Sequence, residues 1–87
     1  MPTVRDAFAA LLTAERERAG LSQEQLADLA GVDRSTVGAL ERATASPKLE
    51  TVISLASALK IDTCDLVPPV RRRRSGGGAA VFEWVDE

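Results

Sequence analysis

The chain reads as an all-α domain of about 65 residues followed by a short tail. Three observations carry this reading. Apolar residues across residues 1–67 recur at helical rather than alternating spacing. Residues that start and stop helices punctuate them: Ser22 and Asp33 at starts, Gly20 and Gly31 at stops. Composition then changes near residue 67, where Pro68-Pro69-Val70 precedes four arginines, a serine and three glycines. Residues 1–67 are expected to form the folded domain. Residues 68–87 are expected to form a Pro/Arg/Gly-rich linker and a short apolar tail.

Five helices are expected in the body. In the first, Val4, Phe8, Leu11, Leu12 and Ala19 share a stripe, and Gly20 ends it. The second opens with the capping box Ser22-x-x-Gln25, flanked by the staple pair Leu21 and Leu26. Leu26, Leu29 and Ala30 supply its buried face, and Gly31 suits the left-handed turn that closes it. Asp33 is the N-cap expected for the third, with Val32 and Val37 as a second staple. Val37 and Leu40 face inward there, whereas Arg34, Ser35, Gly38 and Ala39 face outward. The fourth begins either at Ser46-Pro47, with proline at its first position, or just after Lys48. Leu49, Val52, Ile53, Ala56 and Leu59 form its inner face. A last short turn runs from about Asp62 to Val67. Cys64 reads as a small, inert core residue.

Composition excludes whole classes of function. The 87 residues include no histidine, no tyrosine and one cysteine. No Cys/His zinc site, no catalytic triad and no internal disulfide can be built within one chain. Neither a metal nor a cofactor is expected, and an enzyme is not. The longest apolar run, Ala7 to Leu12, is too short to span a membrane. Arg5 and Asp6 before it do not suit a secretion signal. A soluble cytoplasmic protein is the default expectation. The net charge of −2 does not advertise nucleic acid, and residues 1–67 carry seven basic and ten acidic residues. Any such partner must be met by local placement of charge.

Placement of that kind is found in the second and third helices. Only Gly31-Val32-Asp33 separates them, the spacing of a helix-turn-helix. Each is too short to be stable alone in water, so packing must hold them. The third then becomes a rigid rod of the width that enters the major groove of B-DNA.

The run Gln23-Glu24-Gln25-Leu26-Ala27, then Gly31-Val32, Ser35-Thr36-Val37, Leu40-Glu41-Arg42 and Pro47, resembles the phage Cro and C-type repressors of the XRE family. Leu49-Glu50-Thr51-Val52 through Ala58-Leu59 extends the likeness, which covers about residues 4–67. It implies the lambda-repressor-like fold, a compact five-helix domain. It also implies sequence-specific binding of double-stranded DNA by a bacterial or phage-encoded transcriptional regulator. By that resemblance the recognition helix is about Asp33–Arg42, presented twice by a homodimer on a two-fold operator. Gln23 is implied as a phosphate clamp, and Arg16 and Glu41 as a structural ion pair.

The chemistry of the reading positions follows. Arg34 can grip guanine through two hydrogen bonds, Ser35 can donate or accept, and the Ala39 methyl can meet a thymine methyl. Without a side chain, Gly38 lets the helix approach the groove. Arg42 and Lys48 suit phosphate contacts. The family usually has glycine where Ala43 stands, so a left-handed turn there is harder to make.

The tail leaves two questions. Arg71, Arg72, Arg73 and Arg74 are either a solvated basic linker or an arm for nonspecific phosphate contact. Gly76 to Gly78 read as a hinge. Beyond it, Phe82 and Trp84 alternate onto one face of an extended segment between Val81 and Val85. That segment can dock on the body, pair with a second subunit or capture another protein. An antitoxin-type protein that binds a partner through this tail and regulates its own operon is therefore a second reading, and a protein-interaction module without DNA a third.

Overall fold

The computed structural model describes residues 3–68 and, as backbone strands, residues 70–74 and 80–84. Four α-helices make the body: α1 (Val4–Arg18), α2 (Gln23–Ala30), α3 (Arg34–Glu41) and α4 (Leu49–Leu59). The expected fifth helix is a single 3₁₀ turn, Thr63–Asp65. Asp62 is its N-cap but makes no side-chain hydrogen bond, and Leu66, the residue directly after the turn, closes it and is buried in the core.

Local signals explain the boundaries. Ser22 accepts from the Gln25 N–H at 3.0 Å, and the Gln25 side chain accepts from the Ser22 N–H at 2.8 Å. A second capping box, unanticipated, starts α1: Thr3 Oγ1 accepts from Asp6 N and Thr3 N donates to Asp6 Oδ2 at 2.8 Å. The Thr3 N–H foremost, and then the Thr3 hydroxyl donating to Asp6 Oδ2 at 2.9 Å, hold the Asp6 carboxyl below its ordinary range. Lys48 is the N-cap of α4, so the helix begins after it rather than at Pro47.

All four helices end on the same pair of backbone bonds. At α3, Ala43 N donates to Leu40 O at 3.2 Å and Thr44 N to Ala39 O at 3.0 Å. Equivalent pairs close α1 through Gly20 and Leu21, α2 through Gly31 and Val32, and α4 through Lys60 and Ile61. This is the Schellman arrangement, which needs a left-handed residue. Gly20 and Gly31 supply it at φ 72°, but Ala43 and Lys60 adopt it at φ 60° and 59°.

Each helix and the 3₁₀ turn's flank send a leucine into one core. Leu12, Leu26, Leu40, Leu55 and Leu66 are fully buried together with Val37. α2 packs on both α3 and α4, α1 packs on α3, and α4 packs on the 3₁₀ turn. Each buried leucine contributes roughly 1.5–3 kcal/mol of transfer free energy.

Several core assignments need correction. Leu29 is exposed and Ala27 is buried in its place. In α2 the inward direction lies between Leu26, Ala27 and Ala30, and at about 100° per residue Leu29 projects well away from it. On α4 the buried set is Val52, Leu55, Ala56 and Leu59, while Leu49 and Ile53 are 69% and 50% exposed. Val4 is the first residue of α1 and Ala19 its C-cap, and both are exposed. Cys64 is exposed, because the 3₁₀ turn buries none of its own residues and relies on Leu66 as its anchor.

Beyond Pro68, Val70–Arg74 (β1) pairs antiparallel with Ala80–Trp84 (β2). Val70 stands opposite Trp84 and Arg72 opposite Phe82. The apolar segment's backbone partner is thus the arginine run of the same chain, a pairing not among the three anticipated. The expected hinge Gly76–Gly78 and Val85 lie outside the described residues. No helix among the described residues is long and apolar enough to cross a membrane.

Candidate nucleic-acid interface

The geometry of the site begins at α1. Arg16 extends from its last turn and donates through Nε to Glu41 Oε2 at 2.6 Å and through Nη2 to Glu41 Oε1 at 3.0 Å. Its third group, Nη1, donates to the Leu21 carbonyl at 2.8 Å. Gln23, the first residue of α2, donates from Nε2 to Glu41 Oε1 at 3.1 Å. One carboxylate therefore ties α1, the α1–α2 turn and the start of α2 to the last residue of α3.

The two charges are well shielded, with 15% of the Arg16 side chain and 6% of the Glu41 side chain exposed. Burial opposes the Glu41 charge. Hydrogen bonds from Arg16 and Gln23, the Arg16 charge and a hydrogen bond with Thr13 outweigh it, so the carboxyl is held below the ordinary glutamate range. Arg16 is held above its ordinary value, first by its hydrogen bond to Glu41. Such a network positions α3 while Val37 and Leu40 fix its inner face.

Seven positions were expected to meet DNA, and they fall into three groups. Arg34 and Ser35 are exposed on the first turn of α3, preceded by Asp33, which makes no side-chain cap. Ser35 and Ala39 line one wall of an open groove whose other wall is the loop before α4, including Ala45, Ser46 and Lys48. Gln23, Gly38 and Arg42 form the third group, on a neighbouring face.

By helical spacing Gly38 is expected to face outward, open to the groove. It is buried, because the Arg42 guanidinium lies over it. Gln23 is half-buried, and its amide is already engaged by Glu41 rather than projecting freely. The contributions of Ala45, Ser46 and Thr36 to the groove were missed, since loop conformation is not encoded in helical spacing. Thr44 was missed as well: its hydroxyl donates to the Ala39 carbonyl at 3.1 Å and reinforces the end of α3. A threonine directly after a helix end was the available signal. Among the described residues no group of His, Cys, Asp and Glu could hold a metal ion. Arg71–Arg74 lie on β1, and Phe82 and Trp84 on β2.

The fold of the helical body is shared with known proteins. A family model described as helix-turn-helix matches residues 12–66, more than half of the chain. The control protein C.SmaI of Serratia marcescens is 38% identical over 56 residues, which make up 64% of this chain and 67% of that protein. The restriction-modification controller protein C.AhdI from Aeromonas hydrophila superposes with a TM-score of 0.70 at 42% identity, over 71% of this chain and 94% of that one. The hypothetical transcription factor NHTF from Neisseria gives a TM-score of 0.73 at 33% identity, over 77% of each chain.

Proposed function

The chain belongs to the helix-turn-helix family of transcriptional regulators and is not an enzyme, and from that premise we propose that it binds operator DNA as a homodimer and represses transcription by covering a promoter. One α3 enters each of two successive major grooves, with half-sites roughly one helical turn apart. Arg34 and Ser35 read base edges, and Ala39 contributes an apolar contact. Gln23, Arg42 and Lys48 serve the phosphates, and Arg71–Arg74 add nonspecific attraction.

The observation that carries this reading is the anchoring of α3. Its C-terminal end is held by the Arg16–Glu41–Gln23 network while Arg34 and Ser35 stand exposed at the other end. A helix used only as packing has no need of so firm a support at one end and an exposed arginine at the other. The exposed pair Leu49 and Ile53, one turn apart on α4, supports the dimer, because two copies meeting there would remove both from water. C.SmaI is named a control protein and C.AhdI a restriction-modification controller. We read this chain as a controller of the same kind.

Selection of bound duplexes from a random pool at near-physiological salt tests the reading. The expected product is a two-fold sequence containing a guanine whose preference disappears in Arg34→Ala. Recovery of no preferred sequence overturns it.

A further inference from the structure

We propose that Gly38 is a seat for the Arg42 guanidinium, and that the seated guanidinium is a preset ligand for one DNA phosphate. The proposal rests on the DNA-binding reading above and assigns Gly38 a task other than close approach to the groove. Arg34, Gly38 and Arg42 follow one another at intervals of four residues along α3 and its C-cap. Helical side chains lean toward the N-terminus, so Arg42 lies back over the turn that holds residue 38. A Cβ built on Gly38 would meet Arg42 Nη1 at 2.9 Å and Arg42 Cζ at 3.8 Å. The space that glycine leaves is therefore already filled by the guanidinium, which is why an outward position is buried.

The same point lies 3.7 Å from Gln23 Oε1. That orientation has a cause. The Glu41 carboxylate can only accept, so the Gln23 amide must turn its Nε2 toward it. Oε1 is left on the side of Gly38 and Arg42. Positive Arg16, negative Glu41, the Gln23 dipole and positive Arg42 then alternate from the shielded pair outward to the surface. The Gln23 carbonyl oxygen therefore lies near the same point as the guanidinium, with its negative end on the side that favours a cation. Among the described residues Arg42 has no carboxylate partner, so its donors are open to an anion. A guanidinium held flat can offer a phosphate two parallel N–H groups.

A double-mutant cycle on the operator duplex selected by the parent protein tests this. Affinity is measured across a salt series for the parent, Gly38→Ala, Arg42→Ala and the double variant. Each single change is expected to weaken binding several-fold and to reduce the slope of log affinity against log salt by about one. The double variant should bind no more weakly than Arg42→Ala. Base preferences should be the same in all four, since phosphates carry no sequence information. Gly38→Ala should fold, because alanine is the better helix former, and Arg42→Ala removes nothing from the core. If Gly38→Ala weakens binding equally with and without Arg42, the glycine serves close approach and the seat is wrong. An unchanged salt slope in Arg42→Ala overturns it too. Failure of the parent to select any duplex overturns the DNA reading itself, a result distinct from either of these.

Discussion

The two ends of α3 are built on opposite principles. At the C-terminal end Glu41 is enclosed, paired with Arg16 and bonded by Gln23, while Thr44 closes the backbone. At the N-terminal end Asp33 forms no side-chain cap, and Arg34 and Ser35 face solvent. In eight residues one helix thus separates support from display. A group meant to meet a variable partner must keep its hydrogen-bonding capacity free. The helix that presents it must be held elsewhere.

The sharpest way to break this comparison is to remove the support. Glu41→Ala leaves Arg16 without its carboxylate in a part-buried position; loss of one member of a fully buried pair is worth roughly 3–5 kcal/mol, and this change should cost near or below the lower end of that range. In a domain this small much of the stability should go, visible as a large fall in the urea midpoint. Acid makes the same cut without mutation. Because the folded carboxyl is held below its unfolded value, its contribution is complete above the ordinary glutamate pKa of about 4.5. It is lost as pH falls through the lower folded value. Stability of the parent should therefore drop more steeply below pH about 4 than that of Glu41→Gln, which has no such proton to gain. Equal acid profiles would show that the pair contributes little.

Removing the display should do the reverse. Arg34→Ala is expected to cost about 1–3 kcal/mol of preference for one base pair. The unfolding free energy should stay within about 0.5 kcal/mol of the parent's, because the side chain is exposed. A loss of stability comparable to that of Glu41→Ala would show that the two ends are not separate.

The contrast was only partly legible in the sequence. Ser22 with Gln25, Gly20, Gly31, Val37 and Leu40 were readable because capping and left-handed turns depend on neighbours a few residues away. The phase of the buried face was less so. An eight-residue helix offers overlapping apolar stripes, and only the packing of α2 on α3 and α4 selects Ala27 over Leu29. On α4 the expected stripe ran through Leu49 and Ile53 and left out Leu55, and the tertiary arrangement buries Leu55 instead. The pairing of Arg16 with Glu41 came from family likeness, since 25 residues separate them. That Gln23 also spends a donor on Glu41, and that Gly38 lies under Arg42, follow from side-chain paths that no spacing rule contains. Cys64 was misjudged because composition cannot tell which side of a single 3₁₀ turn faces the core.

The smallest expected effect concerns how the helices end. α1 and α2 close on glycines, whereas α3 and α4 impose the same left-handed geometry on Ala43 and Lys60. For a residue with a Cβ that conformation costs roughly 1–2 kcal/mol. Glycine would release the strain but lose about 0.4–1 kcal/mol through the greater freedom of its unfolded chain. Ala43→Gly should therefore stabilise the domain by a net of about 0.5–1 kcal/mol, or a few degrees in Tm. Gly31→Ala, placed at the same turn of α2, should destabilise it by a similar amount, since nothing crowds that position and only its backbone angle penalises the change. Neither substitution touches Arg34 or Ser35, so selected base preferences should not move. The strain at Ala43 sits within two residues of Glu41, at the end of α3 that the ion pair secures. A tight anchor is able to hold an unfavourable turn there, and Ala43→Gly measures how much of the anchor's strength is used in doing so. If Ala43→Gly instead lowers Tm, the alanine methyl is contributing packing that outweighs its strain, and the end of α3 is held by more than its polar network.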